Sequence, residues 1–276
     1  MPDAPLQFSN DVRAPGSTLL LALGGWMDGG SVSTGTVRHL MTGRDVVEVA
    51  KIEPAGFYID NFPGSMELAA LLRPHVEYEG GLIKTFEMQR NEVHVDVGSK
   101  LAFFIGREPN LNWVGFADRV FEIVHHIGVT RIIFMGSFGG SVPHTREPRL
   151  YGSVSSEKSL PLLRQFGLKP TDYDGPASFA TYLLARAPEE GVEMLSISVE
   201  IPGYLDGTNP LSIEAVARRL ASALNVPVDL ASLREASTEW EAQVSEAVAK
   251  DKRLAKTIRE LQEQYDNDLV EALGDE

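Results

Sequence analysis

The sequence contains no cysteine among its 276 residues. Disulfides, thiolate nucleophiles, thiolate zinc sites and iron–sulfur clusters all need that side chain, so these kinds of site are excluded. No apolar run approaches the roughly 20 residues that a membrane-spanning helix requires, and the N-terminus lacks the basic flank and apolar stretch of a signal peptide. We therefore expect cytoplasmic localisation and no membrane partner.

Basic side chains are also in short supply. Lys and Arg together number 25 against 39 Asp and Glu, which gives a formal net charge of −14. This excess of negative charge opposes contact with a polyanionic backbone. We therefore expect no nucleic-acid partner.

The six histidines form no recognisable set of metal ligands. His125 and His126 are adjacent on a predicted helix, and immediate neighbours on a helix do not face the same way. His94 and Asp96 share one face of a predicted strand, where the alternation of polar and apolar residues explains them as solvent-side residues. We predict no bound metal and no cofactor.

What is present is the pattern of an α/β fold. Residues 18–23 form a wholly apolar run that ends in two glycines, which is typical of a strand buried on both faces of a parallel sheet. A helix is predicted over 31–41, capped by Ser31 or Ser33, and a valine-rich strand over 45–52. The length suits one large domain with an appendage, so we predict an α/β domain at 1–232 and a helical extension at 233–276.

The middle of the chain continues this alternation. Val93, Val95 and Val97 alternate with polar residues, which predicts a strand with one wet face in an antiparallel part of the sheet. The remaining predicted elements are strands at 101–105, 131–135 and 192–199, helices at 113–127, 179–187 and 213–224, and long loops at 136–152 and 202–210.

The C-terminal segment has apolar residues at alternating steps of three and four, namely Trp240, Val244, Ala247, Leu254, Ile258, Leu261 and Tyr265. This spacing predicts one long amphipathic helix whose apolar stripe is interrupted once, by Asp251. The apolar stripe must be covered, either by the chain's own domain or by a neighbouring subunit.

Two loops could carry chemistry, and the first is GGWMDGG after the first strand. Glycines and backbone amides at the carboxyl end of a strand occupy the usual ligand position of open α/β sheets. The loop lacks the Gly-Lys-Ser/Thr ending of a P-loop and the glycine spacing of a dinucleotide fingerprint. Asp28 therefore either caps the next helix or contributes to a binding site.

The second loop, MGSFGGSVPHTREP, brings Ser137, His144 and Arg146 close together in sequence. A serine hydrolase could use Ser137 and His144 with Asp28 or Glu108. However, Gly-Ser-Phe-Gly is not the Gly-x-Ser-x-Gly nucleophile elbow. The alternative is that these loop side chains make structural hydrogen bonds and ion pairs.

Five stretches together resemble one family, the proteasome-assembly-chaperone-like proteins, and the C-terminal segment resembles the extension of its actinobacterial members. The stretches are GGWMDGG, GREPNLNW, VPHTREP, YDGPASFATYLL and SVEIPGYLDGTNPLSIEAVARRL, in the family's order. The resemblance implies a three-layer α/β/α sandwich with a mixed central sheet, similar to purine nucleoside phosphorylases, and a homotrimer. Met27 and Gly29 depart from the family's Gly-Trp-Asn-Asp-Ala-Gly, and the final Leu-Gly-Asp-Glu differs from the hydrophobic-Tyr-X ending of the proteasome-docking chaperones.

Two functional hypotheses follow. The first is a non-catalytic assembly chaperone or scaffolding protein whose loops form a contact surface. The second is a nucleoside- or phosphate-like binder, or a phosphorylase or hydrolase, with a cleft at the strand ends. The candidate residues of this cleft are Asp28, Glu108, Asn110, His144 and Arg146. In the second case Arg146 would hold a phosphate or carboxylate, and Asp28 or His144 would act as acid or base.

Overall fold

The structure, a computed structural model, describes residues 6–61, 63–66, 70 and 72–274. The strands, numbered along the chain, are β1 (Leu6–Phe8), β2 (Ser17–Gly24), β3 (Val47–Ile52), β4 (His75–Glu79), β5 (Leu82–Glu87), β6 (Glu92–Asp96), β7 (Leu101–Arg107), β8 (Val129–Gly140), β9 (Arg149–Val154), β10 (Lys169–Pro170) and β11 (Glu193–Pro202). The helices are α1 (Val32–Met41), α2 (Trp113–Ile127), α3 (Pro161–Gln165), α4 (Phe179–Arg186), α5 (Pro210–Leu224), α6 (Ala231–Lys250) and α7 (Lys252–Gly274).

The strands of the described part form one nine-stranded sheet in the order β1-β3-β6-β7-β2-β8-β11-β9-β10, and a separate β4–β5 hairpin. The four central strands, β7, β2, β8 and β11, are parallel to one another. On one side β6, β3 and β1 each pair antiparallel with the preceding strand. On the other side β9 runs antiparallel to β11. The predicted mixed sheet, with its antiparallel stretch around Val93 and Val95, is confirmed.

Two apolar cores lie on opposite faces of the sheet. Alternate residues of β2 contribute to both, with Leu19 and Leu21 in one core and Leu20 in the other. The first core is closed by α2 and α4, and the second by α1, α3 and α5. A strand that is apolar on both faces needs helices on both sides of its sheet. The predicted three-layer α/β/α sandwich is therefore confirmed.

The helix limits follow local signals to different degrees. Helix α2 covers the predicted residues. Asn112 caps its start, because the side-chain oxygen accepts from the Gly115 N–H. Gly128, in the left-handed conformation, caps its end. Ser31 stands at the N-cap position of α1, as predicted, although its side chain makes no capping hydrogen bond. The Ser33 hydroxyl accepts from the N–H of Leu23 in β2.

Strand β8 is longer than the sequence indicates. The sequence predicts a loop from Gly136 onward, but β8 continues to Gly140 and pairs with β11 as far as Pro202. The connection between β8 and β9 therefore contains only residues 141–148. The predicted loop at 136–152 is wrong at both ends.

The C-terminal segment is two helices rather than one. Helix α6 ends at Lys250, Asp251 has an extended backbone, and α7 starts at Lys252. The Asp251 carboxylate accepts from the N–H groups of Arg253 and Leu254, as an N-cap does, so the chain starts a new helix there. The prediction of one long helix is wrong at this residue, and α7 returns onto the loop between β8 and β9.

Candidate binding surface

The loop after β2 lies at the carboxyl ends of neighbouring parallel strands and is held by Glu108. The Glu108 N–H donates to Gly24 O at 2.8 Å. Its carboxylate accepts from the N–H of Trp26 at 3.3 Å and from the N–H of Phe179, the first residue of α4, at 2.7 Å. Glu108 thus joins three separate chain segments at one end of the sheet.

The other side of the same loop is tied to β8 and to the start of α5. The Ser137 N–H donates to Met27 O at 2.8 Å, and the Ser137 hydroxyl donates to Gly29 O at 2.6 Å. The N–H of Asn209 donates to Gly30 O at 2.8 Å. The Ser137 hydroxyl is fully buried and donates to a backbone carbonyl, so its hydrogen bond fixes the loop.

Asp28 caps α1. Its carboxylate accepts from the Thr34 N–H at 3.1 Å and from the Thr34 hydroxyl at 2.8 Å. Burial raises the pKa of Asp28 above its usual value, although the hydrogen bonds from Thr34 act in the opposite direction. The sequence leaves open whether Asp28 caps the next helix or contributes to a binding site, and these hydrogen bonds are those of a helix cap.

Asn110 and Arg146 are engaged in structural contacts. The Asn110 side-chain oxygen accepts from the N–H of Ile59 at 3.2 Å, at an exposed position. Arg146 lies on the loop between β8 and β9 and makes a two-point ion pair with Asp266 of α7, at 2.8 and 2.7 Å. Such a paired geometry is the strongest form of the arginine–carboxylate contact.

His144 is 2% exposed and is hydrogen-bonded through both ring nitrogens. Nδ1 lies 2.8 Å from the Tyr204 hydroxyl, and Nε2 lies 3.0 Å from the Ser245 hydroxyl of α6. The His144 backbone N–H also donates to the Tyr204 oxygen, at 2.8 Å. A neutral ring with its proton on Nε2 satisfies every partner, because Tyr204 can then donate to Nδ1 and Nε2–H can donate to Ser245.

Acid should loosen this contact. Desolvation lowers the pKa of His144, and the opposing effect of Glu241 is smaller. A lowered folded pKa means that the stabilisation is complete above pH 6.5, the ordinary value, and is lost as the pH falls through the folded pKa. We expect wild type to lose more stability than His144→Gln between pH 6.5 and pH 5, measured by denaturant unfolding. Parallel pH profiles for the two proteins would contradict this expectation.

The five candidate residues therefore fall into separate groups. Asp28 and Glu108 border the loop after β2, while His144 and Arg146 contact the C-terminal helices. Asn110 contacts Ile59 instead. Within the described residues, none of these five side chains forms a hydrogen bond with another of the set. Their convergence on one cleft stays a prediction.

Two residues that hold these loops in place were missing from that set. Glu200 in β11 is 5% exposed, and its carboxylate accepts from the N–H groups of Ser141 and Val142 at 2.7 and 3.2 Å. Tyr204 supports His144. The signal for Glu200 was available, because a glutamate inside an otherwise apolar strand requires buried partners.

Apolar side chains are exposed around the loop after β2. Trp26 is 64% exposed although its N–H is fixed by Glu108, and Leu111 and Val114, just after β7, are 41% and 58% exposed. Strands β2 and β7 are parallel neighbours, so their following loops lie at the same edge of the sheet. Exposed tryptophan on a fixed backbone is typical of a protein-contact surface. We call Trp26, Leu111 and Val114 the Trp26 surface.

A cation-binding geometry occurs at the opposite, antiparallel side of the sheet. Glu48, Glu92 and His94 each offer one ligand atom within 4.8 Å of the others. The Glu48 carboxylate already accepts from the Ser9 hydroxyl at 2.7 Å and lies 3.0 Å from the Lys51 ammonium group. Because these partners occupy the Glu48 oxygens, we assign no metal role to the group.

None of the described helices is long and apolar enough to cross a membrane.

No curated protein matches the chain. Among solved structures, a protein of unknown function from Corynebacterium glutamicum is similar, with 21% identity, a TM-score of 0.81, and coverage of 96% of this chain and 98% of that one. The likeness at that identity concerns the fold.

Two further solved structures are similar. A proteasome-assembly chaperone homologue from Mycobacterium tuberculosis shares 25% identity, with a TM-score of 0.74 and coverage of 87% of this chain and 99% of that one. A PAC2 family protein from Streptomyces avermitilis shares 26% identity, with a TM-score of 0.71 and the same coverage values, 87% and 99%. The PAC2 family model itself matches residues 22–248, which include every segment joined at the loop after β2, so the chain belongs to the PAC2 family.

Proposed function

We propose that this chain is a non-catalytic assembly chaperone or scaffolding protein that binds a protein partner through the Trp26 surface. The observation that carries the proposal is a 64% exposed tryptophan on a loop that Glu108, Ser137 and Asn209 hold in place from three other segments. The similar chain from Mycobacterium tuberculosis, described as a proteasome-assembly chaperone homologue, supports a role in protein assembly.

The chemistry of the loops supports a contact role over a catalytic one. The Ser137 hydroxyl donates to Gly29 O, and both nitrogens of His144 are taken by Tyr204 and Ser245. A nucleophile must instead be within hydrogen-bond reach of its base. We extend the proposal to a cytoplasmic homotrimer with a nucleoside-phosphorylase-like fold, divided into residues 1–232 and the helical extension 233–276.

One observation favours a second candidate, a small-molecule binder. Asp28 is a partly buried carboxylate with a raised pKa just beyond the carboxyl end of β2, and perturbed groups in that position are frequent in ligand sites. The test is a thermal-shift screen with nucleosides and inorganic phosphate. A shift that disappears in Asp28→Asn would support the binder, and no shift with any of them would remove it.

Replacing Trp26 with alanine should abolish partner binding without unfolding the protein. A central interface tryptophan contributes about 2 kcal/mol or more, which corresponds to roughly 30-fold weaker binding. Its exposure means that the free energy of unfolding should change by less than about 0.5 kcal/mol. The measurement is quantitative affinity capture from native lysate, with denaturant unfolding of the same two proteins.

Leu160→Ala is the matched control, because Leu160 is 52% exposed and lies before α3, on another part of the chain. It should capture the partner as wild type does. Recovery of this chain alone by the wild-type bait under several conditions would count against the proposed function, and equal capture by Trp26→Ala would remove the Trp26 surface from it.

A further inference from the structure

The loop between β8 and β9 presents a surface that the chain's own α7 occupies. Arg146 pairs with Asp266, and Arg149 pairs with Asp268 at 2.6 Å while its guanidinium group lies 4.6 Å from the ring centroid of Tyr265. Two aspartates of α7 thus pair with two arginines, one on the loop and one at the start of β9.

Three further contacts complete the interface. The Gln262 amide donates to the Thr145 hydroxyl at 2.7 Å, and the Tyr265 hydroxyl donates to Glu147 O at 2.9 Å. Ile258 is the buried side chain among the described residues of α7, at 3% exposed. Thr145, Arg146, Glu147 and Arg149 therefore recognise one helix through charge, hydrogen bonds and an aromatic ring. We call these four residues the α7 site.

These contacts are selective but individually weak. Asp266 and Asp268 are 52% and 47% exposed, and exposed ion pairs contribute from about 0 to 1 kcal/mol each. Among the described residues of α7, Ile258 is the one fully buried apolar side chain, and Leu254, Leu261 and Tyr265 are half-buried. A helix held by one buried side chain, half-buried neighbours and surface polar contacts can leave its site at a smaller cost in free energy than an element of the core.

The hinge that would allow this movement is one residue long. Asp251 alone separates α6 from α7, and its backbone angles are φ −112° and ψ 105°. The apolar spacing of residues such as Val244, Leu254 and Ile258 is compatible with one continuous helix, as the sequence predicts. Rotation at Asp251 would carry α7 away from the loop of its own chain and leave Asp266 and Asp268 available for pairing. A short hinge of this kind favours exchange of an element between identical chains.

We propose that α7 is an exchangeable element, and that the α7 of a second copy of this chain docks on the α7 site in place of the site's own helix. A second copy is the occupant because the charge complementarity is already present: the site fits this helix and no new contact is needed. The inference rests on the self-association included in the proposed function and names the residues that perform it.

The absence of cysteine allows an unambiguous test. Thr145 and Gln262 touch across the interface. Thr145→Cys and Gln262→Cys are each introduced into full-length chains that carry different tags, the two chains are co-expressed, and the purified protein is treated with a short bis-maleimide. If α7 docks on a second copy, the two chains become covalently joined. We expect about tenfold more joined pairs than in the control, because docking raises the local thiol concentration towards millimolar.

Gln262→Cys co-expressed with Leu160→Cys is the matched control, since Leu160 is exposed and precedes α3. A single chain that carries both Thr145→Cys and Gln262→Cys shows that the substitutions are tolerated, because it cross-links whether α7 docks on its own body or on another. Adding Asp266→Arg to the Gln262→Cys chain should return the joined pairs to the control level.

Light scattering on the wild-type chain separates the two possible failures. Suppose that the wild-type chain is a multimer, that the two single-cysteine chains are not joined, and that the double-cysteine chain cross-links internally. This result would overturn the exchange of α7 and leave self-association standing. A monomer at every concentration tested would overturn both. A multimer with joined chains supports the exchange.

Discussion

Replacing Glu200 with alanine should lower the free energy of unfolding by about 3 kcal/mol, because the buried N–H of Val142 and the partly buried N–H of Ser141 lose a charged acceptor. The Glu200 carboxylate accepts from the N–H groups of Ser141 and Val142, and its other oxygen lies 3.6 Å from Arg149. An alanine leaves both N–H groups without this acceptor, and the N–H of the buried Val142 is the one that water replaces least well. The measurement is the midpoint and slope of denaturant unfolding.

Glu200→Gln separates the loss of the acceptor from the loss of charge. Glutamine keeps a side-chain oxygen for the two backbone donors and removes only the attraction to Arg149, so its cost should be about half that of alanine. An alanine variant within about 0.5 kcal/mol of wild type would contradict the assignment, since that is the range of ordinary surface substitutions.

Glu200 also explains why the sequence misplaces the end of β8. Four glycine or serine residues around Gly136 and Gly140 have low strand propensity and indicate a loop. In the structure a Cβ atom on Gly140 would overlap the Glu200 side chain, so glycine is what allows the two strands to pair that far. The contact comes from a residue that is 60 positions away in sequence, and local pattern cannot predict it.

Other differences carried signals that were available in the sequence. The β4–β5 hairpin turns at Gly80 and Gly81, which have positive φ values of 58° and 83°, and two glycines between strand-like runs are a known hairpin signal. Asp251 is a strong N-cap residue and in fact starts α7. Apart from the end of β8 and the break at Asp251, the buried strands and amphipathic helices were placed correctly because their periodicity reflects burial directly.

The contacts of the candidate residues depend on packing that the sequence does not show. Proximity in sequence suggested that Ser137, His144 and Arg146 act together, but Ser137 lies within β8 and bonds to Gly29, whereas the other two follow the strand and contact the helices. The partner of Arg146, Asp266, is supplied by a helix 120 residues later. Which side chains meet at a loop depends on such long-range packing.

Replacing Glu108 with alanine should remove partner binding while the Trp26 side chain is still present. Glu108 is the acceptor for the N–H groups of Trp26 and Phe179, so its loss frees the loop after β2 from the start of α4. The unpaired, partly buried Phe179 N–H should cost about 2 kcal/mol. If the loop opens locally, amide exchange at Phe179 should become about 30-fold faster.

Capture of the partner distinguishes a positioning role from a contact role. Glu108→Gln keeps one oxygen for the Phe179 N–H and should retain most of the binding of wild type, whereas Glu108→Ala should fall to the level of Trp26→Ala. A double variant with both alanines should bind no worse than either single variant, because the two changes disable the same element. If the Glu108→Ala protein exchanges rapidly at Phe179 yet captures the partner normally, the position of Trp26 is not what the partner recognises, and the contact must lie elsewhere on the chain.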